Sequence, residues 1–360
     1  MFCDAKPSGA PRRSEALEDV LTSLWCPTLP YDPRCRRGVG WFVEEMAMTK
    51  QTPIVGVLSP GDMGRSIGMV LQAHGVRTLT CLAGRSERTR ALAADAGFED
   101  TASLAELVQR VDILLCVLVP DRAAGVADEV AAAVRATGAD LLYADCNAVS
   151  PQSVRAIAAT LEDAGARFVD VGIVGPPPVV TGFTGSSTRF HASGSGSVEL
   201  AALGSHGLDV RLVGPEVGQA SGLKMCYGAL TKGLQALGTE LLVAAEMLGL
   251  ANTLRVEQEE SVPELLGWLR RMVPSMPPKA YRWVGEMEEI ARTFDELGLT
   301  PGILQGAADL YAFVTETPLA RASPESRDRT RDLDAVVEVL ARNAAQRARA
   351  ARPAVPTRET

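Results

Sequence analysis

Histidine is scarce in this chain: 360 residues include three. A histidine-based metal centre therefore has few ligands to draw on. His74 and His206 stand beside glycines, which leaves His191, inside an expected strand, as the one candidate for a substrate contact. Long apolar runs are also lacking. No stretch of about 18 uncharged apolar residues occurs, which argues against a transmembrane helix and a membrane partner. Positive charge is in deficit, with 36 lysines and arginines against 44 aspartates and glutamates and a formal net charge of −8. General nucleic-acid binding is excluded on that balance, because phosphate neutralisation needs a basic surface. One local basic pocket for a phosphorylated small molecule remains compatible with it. The seven cysteines are an odd number with no metal-like or framework spacing, which points to a reducing, cytoplasmic setting. Cys81, Cys116 and Cys146 each sit in a short apolar run and read as small core residues.

The composition that is present, 46% hydrophobic and 22% charged, is that of a soluble globular protein, and the length suits two domains. Residues 1–48 differ from the rest. They are rich in Pro, Arg, Cys and Trp, show no sustained periodicity, and lack the basic start and apolar core of a signal peptide. Residues 1–50 are read as a disordered extension or an over-long gene start, with a functional arm as the less favoured reading.

From residue 53 strand and helix signals alternate. Expected strands are Pro53–Ser59, Arg77–Leu82, Asp112–Val119, Leu141–Asp145 and Arg167–Val171, with Thr188–Ala192 and Asp209–Val213 completing the sheet. Between them lie helices that close at Gly75, Gly97 and Gly165. Ser86 is a candidate cap, Ser103-Leu104-Ala105-Glu106 is a capping box, and Ser150-Pro151 supplies an N-cap with proline at the first helical position. Short connections between such units imply a parallel sheet covered on both faces, a doubly wound α/β domain of the Rossmann type over residues 51–215. The remainder, 216–340, reads as an all-α domain. Gly218 to Leu250 has no proline and carries Leu230, Leu234, Leu237, Leu241 and Met247 at helical spacing. A continuous helix there is on the order of 50 Å long, which suits a bridge between two domains. Residues 341–360 read as a frayed tail.

The first strand leads into Ser59-Pro60-Gly61-Asp62-Met63-Gly64 and a helix. Strand, glycine turn and helix together present backbone N–H groups and a helix dipole to a pyrophosphate. The usual pattern is G-x-G-x-x-G, and serine replaces its first glycine here. After the second strand an NAD enzyme would carry an acidic residue for the ribose 2′-hydroxyl. This chain has Ala83-Gly84-Arg85-Ser86 instead. Arg85 can stack on adenine and pair with a 2′-phosphate while Ser86 donates from the helix start, so NADP is favoured over NAD. Arg88 and Arg90 form a solvated helix face in the plainer reading. Leu118 and Val119, at the end of the Asp112–Val119 strand, and Asn147 complete the candidate cofactor contacts.

Three segments fall in a shared order: Gly61-Asp62-Met63-Gly64, Asp145-Cys146-Asn147-Ala148-Val149-Ser150-Pro151 and Gly218-Gln219-Ala220-Ser221-Gly222-Leu223-Lys224. In this order the chain resembles the β-hydroxyacid dehydrogenases, including 3-hydroxyisobutyrate dehydrogenase and the nucleotide domain of 6-phosphogluconate dehydrogenase. Over residues 54–320 it is similar to the subgroup with a poorly characterised phosphogluconate-dehydrogenase-like C-terminal domain. Ser59–Gly64, Gly175-Pro176-Pro177-Pro178 and Glu286-Met287-Glu288-Glu289 carry that closer likeness. The resemblance implies that Lys224 transfers a proton while hydride moves to or from nicotinamide. A lysine suits the task, since an ammonium both stabilises and protonates a developing oxyanion, and a neutral amine can act as base. Ser221, Tyr227, Gly228 and Thr231 lie three, four or seven positions from Lys224, on its helix face. Lys232 reads as a surface or interdomain residue. The resemblance also implies a homodimer with the site between domains, for which Phe294, Leu297, Leu304, Leu310, Tyr311 and Phe313 are either core or interface.

The departures bear on substrate. Gly228 stands where the family's dehydrogenases place asparagine. Their Ser-Gly-Gly carboxylate loop is replaced by Val174-Gly175-Pro176. Valine removes a hydroxyl and proline a backbone donor, so a bulkier substrate, or a polyhydroxylated acid anchored elsewhere, is expected in place of 3-hydroxyisobutyrate. Ser221, Tyr227, Gly228, Val174 and Gly175 are the candidate substrate contacts. The leading expectation is an NADP-dependent dehydrogenase or reductase of a hydroxy acid, sugar acid or matching ketone. A C=N (imine) reductase and a non-catalytic NADP-binding protein are the alternatives.

Overall fold

The computed structural model describes residues 52–180, 188–323 and 326–350. The expected N-terminal extension and the end of the expected tail lie outside them. Eight strands form one sheet in the order β3-β2-β1-β4-β5-β6-β7-β8. They are β1 (Val55–Leu58), β2 (Thr78–Thr80), β3 (Glu99–Asp100), β4 (Ile113–Cys116), β5 (Leu142–Asp145), β6 (Arg167–Val174), β7 (Arg189–Ser193) and β8 (Asp209–Gly214). The first six are parallel, in the 3-2-1-4-5-6 order of a doubly wound dinucleotide-binding fold. β7 runs antiparallel to β6, and β8 follows β7. A fully parallel sheet is thus corrected at its far edge: among the described residues no crossover helix joins β6 to β7, and β7 returns alongside β6.

Helices α1 (Asp62–Ala73), α2 (Glu87–Asp95), α3 (Leu104–Arg110), α4 (Pro120–Thr137), α5 (Pro151–Asp163) and α6 (Ser197–Ala201) follow the strands. Their starts are chemically defined: Ser86, Ser103 and Ser150 each accept the N–H of the residue three positions on. Alternation along β4 sends Ile113 and Leu115 into one apolar layer with α1, and Leu114 and Cys116 into the other with α3, α4 and α5. This two-sided burial holds the carboxyl ends of β1, β4, β5 and β6 in fixed register.

The helical part begins with α7 (Gln219–Gly228), passes through a π-helical turn (Ala229–Gly233) and continues as α8 (Leu234–Met247). The expected long helix is present, with that widened turn in its middle. α9 (Ala251–Ser261), α10 (Pro263–Met272), α11 (Ala280–Glu296), α12 (Gly302–Thr315) and α13 (Leu333–Ala350) follow. A separate core there includes Met276, Met287, Ile290, Leu304, Leu310, Tyr311 and Leu340. Of the residues held open between core and interface, Leu304, Leu310 and Tyr311 are buried, Phe294 and Phe313 pack against the same core, and Leu297 is exposed. α13 corrects the tail boundary, running ten residues into it because Val336, Val337, Leu340 and Ala341 bury one face. Among the described residues, no helix is long and apolar enough to cross a membrane.

Candidate active site

At the carboxyl end of β1 the chain turns sharply. Ser59 has φ 64°, the sole non-glycine in the left-handed region among the described residues, at the position where the usual pattern has glycine. Gly61 donates its N–H to the Ser59 carbonyl at 2.7 Å and becomes the N-cap of α1, which no side chain caps. The two retained glycines serve different ends. A Cβ on Gly64 would lie 2.7 Å from the Ser59 carbonyl oxygen, so glycine there lets α1 close on β1; a Cβ on Gly61 would meet nothing within 4 Å. An uncapped helix end facing open space fits a dinucleotide pyrophosphate. Asp62 pairs with Arg88 at 2.8 Å, bracing α1 against α2, and Met63 packs against the sheet core.

Ser86 spends its hydroxyl on α2, accepting the Thr89 N–H at 3.3 Å. Arg90, expected on a solvated face, instead donates to the Leu82 carbonyl at 2.6 Å and to that of Arg85 at 3.3 Å. These bonds fix the turn that carries Arg85. The Arg85 guanidinium is half-buried and has no ion-pair partner among the described residues, and its field reaches Cys116 at the end of β4. Burial pushes the Cys116 thiol up to about 12 and raises that of Cys146, so neither is a ready nucleophile.

The centre of the site lies over β5. Asn147, fully buried, donates from its amide nitrogen to Asp145 at 3.1 Å and accepts the Leu118 N–H at 2.6 Å. Its side chain therefore ties the ends of β4 and β5 together. Its carbonyl points the other way and accepts Lys224 Nζ at 3.1 Å, with the Cys146 carbonyl at 3.4 Å. Lys224 can approach because Gly172 on β6 has no side chain: a Cβ there would lie 2.5 Å from the Ala220 carbonyl oxygen and 3.2 Å from Lys224 Cβ. Asp170, buried on the same strand, fixes the start of α7. Its carboxylate accepts the Gly218 and Ser221 N–H groups at 2.9 and 3.0 Å and the Ser221 hydroxyl at 2.6 Å. A carboxylate at a helix N-terminus suits the dipole, and Ser221 serves this anchor.

Two features of α11 complete the site. Glu286 pairs with Lys232 at 2.7 Å, and the Lys232 ammonium lies 5.8 Å from the Trp283 ring centre. The π-helical turn carries Lys232, whose carbonyl accepts the Tyr311 hydroxyl at 2.7 Å. Lys232 is thus a paired, half-buried residue and not a surface one. Burial, and next Lys232, hold the Lys224 ammonium below the usual lysine range, while Glu286 opposes them. Burial raises the Glu286 carboxyl, yet Lys232 and Lys224 more than offset it and the net shift is downward. One turn on, buried Glu289 accepts the Ser150 N–H at 2.7 Å and the Ser153 hydroxyl at 3.0 Å, and pairs with Arg292 at 2.7 Å. It joins the helical part to the start of α5, just past Asn147. The Glu286-x-x-Glu289 spacing placed both on one helix face, but sequence reasoning did not assign them partners.

The other candidates are dispersed. Gly228 is closed off by Ile290, whose Cδ1 would lie 2.9 Å from an added Cβ, so the family's asparagine has no room without movement. Tyr227 is exposed, and Thr231 donates back to the Tyr227 carbonyl. Val174 is buried at the end of β6, and Gly175 follows with φ 124°. His191 on β7 is half-buried, its imidazole held below the usual range by burial and then by Arg211 and Arg189.

A glycine turn beneath an uncapped helix accords with what known proteins of similar sequence carry over the same residues. Residues 54–181 match the NAD-binding domain of 6-phosphogluconate dehydrogenase. That stretch is thus a nucleotide-binding domain of the 6-phosphogluconate dehydrogenase type. Residues 245–314, in the helical part, match a domain of unknown function (DUF1932). An uncharacterised 28.5 kDa protein of Methanothermus fervidus is 28% identical over 207 residues, 58% of this chain and 76% of that protein. A solved conserved protein of unknown function, described as structurally similar to 3-hydroxyacid dehydrogenases, is 27% identical with a TM-score of 0.54, over 73% of this chain and 96% of that one. The 3-hydroxyisobutyrate dehydrogenase of Mycobacterium tuberculosis, solved with L-serine, shares the fold at 19% identity and a TM-score of 0.58, covering 81% of this chain and 99% of its own. The chain thus carries an NAD(P)-binding domain in a 3-hydroxyacid dehydrogenase-like fold.

Proposed function

We propose that this protein is an NADP-dependent oxidoreductase acting on a hydroxy acid, sugar acid or the corresponding ketone, with Lys224 as general acid and base. The observation that carries the reading is the placement of Lys224 Nζ on the Asn147 and Cys146 carbonyls, beside the strand ends where a doubly wound sheet binds its ligands. Ser59, Gly61, Asp62, Met63 and Gly64 would hold the cofactor's pyrophosphate, Arg85 and Ser86 its 2′-phosphate, and Leu118, Val119 and Asn147 the nicotinamide end. The bound cofactor supplies a hydride acceptor or donor. The protein's own part is proton handling. In the oxidative direction neutral Lys224 takes the substrate hydroxyl proton; in the reductive direction its ammonium returns one to the developing alkoxide. Desolvation of Lys224 favours the neutral form, so the base is available at lower pH than for a solvated lysine.

NADP preference rests on Arg85, which has no ion-pair partner among the described residues, and on the lack of an acidic residue at the end of β2. A lysine at this position favours carbonyl chemistry over C=N reduction, where scaffolds of this kind usually replace it. A homodimer is part of the proposal. Leu223 and Tyr227 on α7, Leu230 in the π-helical turn, Leu237 on α8 and Leu248 just after it are exposed, an apolar surface suited to a second copy. Free cysteines fit a cytoplasmic setting. The test is a panel of aldonates, hydroxy acids and keto acids with NADP(H) and NAD(H). Turnover of at least one compound with NADP preferred, and loss of that preference in Arg85→Ala, is expected. Absence of NADP binding would overturn the reading.

A further inference from the structure

The face of α11 that looks onto the nucleotide-binding domain works as a ruler. Glu289 touches Ser150 at the start of α5, and Glu286 stands by Lys232 and Lys224. Arg282 lies one turn before Glu286, about 6 Å along the axis, and Lys279 ends the short turn Pro277–Lys279 that leads into α11. Lys279 lies within the field of Asp62 in the glycine turn. The row from Lys279 to Glu289 therefore spans the cleft from the glycine turn to Lys224. Arg327 joins from the following segment, where it donates to the Pro274 carbonyl at 3.2 Å.

These three cations are half-buried, and none has an acidic ion-pair partner among the described residues. The Nε of Arg282 is buried with no hydrogen-bond partner among the described residues. Burial, and then Arg282 and Arg327, depress the Lys279 ammonium. Three like charges held together out of full solvent are costly unless an anion completes the site. The carboxylate loop of the β-hydroxyacid dehydrogenases has meanwhile lost its donors here, at Val174 and Pro176, so a substrate needs an anchor elsewhere.

We propose that Lys279, Arg282 and Arg327 form an anion subsite for a distal phosphate or carboxylate of the substrate, set apart from the group that reacts at Lys224. The assignment rests on the proposed function, in which the cleft takes a small organic acid. It narrows that class to substrates with an anionic group several bonds from the reacting carbon, such as a phosphorylated or dicarboxylic sugar acid.

Inorganic phosphate is the probe. It is titrated by calorimetry into the full chain already saturated with NADP+, so that the glycine turn is filled. Wild type is expected to bind phosphate, and the Lys279→Ala/Arg282→Ala double variant to bind it about tenfold more weakly or worse, as for lost charge-assisted hydrogen bonds. A Lys279→Gln/Arg282→Gln double variant keeps polar stems and provides the same comparison if the alanine protein does not fold. Unchanged NADP+ affinity in the variant used shows an intact nucleotide domain. No phosphate binding by the NADP+-saturated wild type would overturn the subsite, and so would equal binding by the variants. Phosphate that binds the nucleotide-free protein and is displaced by NADP+ would assign these cations to the cofactor. A protein that fails to bind NADP+ at all would instead sink the functional reading, a result distinguishable from either.

Discussion

Substituting Gly172 by alanine gives the most quantitative probe of how Lys224 is held. The added Cβ would stand 2.5 Å from the Ala220 carbonyl oxygen, whereas ordinary contact begins at 3.4 Å. The obstacle is backbone, so either α7 or β6 must retreat by about 0.9 Å. α7 resists, because Asp170 grips its first turn through three hydrogen bonds. Overpacking of this kind costs about 1–3 kcal/mol. Whatever movement does occur carries Lys224 with it, since its Cβ would lie 3.2 Å from the new methyl. A displacement near 1 Å can cost about a hundredfold in rate. Urea unfolding of wild type and Gly172→Ala measures the first effect, and kcat at saturating cofactor the second. Gly125→Ala is the control. Gly125 is an exposed position in α4, where a Cβ meets nothing within 4 Å, and alanine should stabilise it by about 0.5–1 kcal/mol. If Gly172→Ala loses less than about 0.5 kcal/mol while the control behaves, the close packing of α7 on β6 is not what positions the lysine.

Glu289→Ala leaves the Ser150 N–H and Arg292 without their buried acceptor and should cost about 1–3 kcal/mol in chemical unfolding. Glu289→Gln should restore part of that, and equal losses in both would show that shape alone is not the issue. Ser59→Gly should be neutral to stabilising by about 1 kcal/mol, because φ 64° strains serine and glycine adopts it freely; a thermal midpoint lowered by several degrees would count against strain at that turn. Asp145 gives a pH signature. Burial, with Asp170 adding to it, raises its carboxyl from 3.8 to about 7, against the pull of Asn147 and Lys224. A raised acid costs no stability while both states are protonated, below about pH 4, and its penalty grows until pH 7, reaching at most about 4 kcal/mol. The stability of Asp145→Asn relative to wild type should therefore improve from pH 4 to pH 8, and a pH-independent difference would contradict this. Light scattering should find a dimer in wild type, and charged residues at Leu230 and Leu237 should shift it to monomer; an unchanged dimer would place the interface elsewhere.

The parts of the fold legible in sequence are those with local causes. Ser86, Ser103 and Ser150 cap helices three residues away, and Gly61 and Gly64 act within one turn. β3 was not anticipated, because Glu99 and Asp100 carry no apolar run and become a strand only by pairing with Leu79 and Thr80. The reversed direction of β7 leaves no mark in its own residues. The π-helical turn at Ala229–Gly233 reads as ordinary helix, since what holds it includes Tyr311, far along the chain. At the site, Lys224 stood out by its position within a shared order of motifs. Asp170, Glu286 and Glu289 did not, since their partners lie tens of residues away or more and a carboxylate's spacing does not name its partner. Ser221 and Asn147 read as ligand contacts from their positions; that their side chains also tie to Asp170 and Leu118 is not visible in the sequence.

The central claim is that Lys224 moves the proton in an NADP-dependent reaction. It is tested most directly by Lys224→Ala assayed on the compound of the panel that wild type turns over fastest, with NADP+ affinity measured in parallel. The account predicts that kcat falls by about 10²–10⁴-fold, that NADP+ affinity stays within about twofold, and that the pH dependence of wild type, set by a lysine depressed by burial, disappears from the residual rate. A variant that retains the wild-type rate and pH profile with unaltered cofactor binding would contradict it.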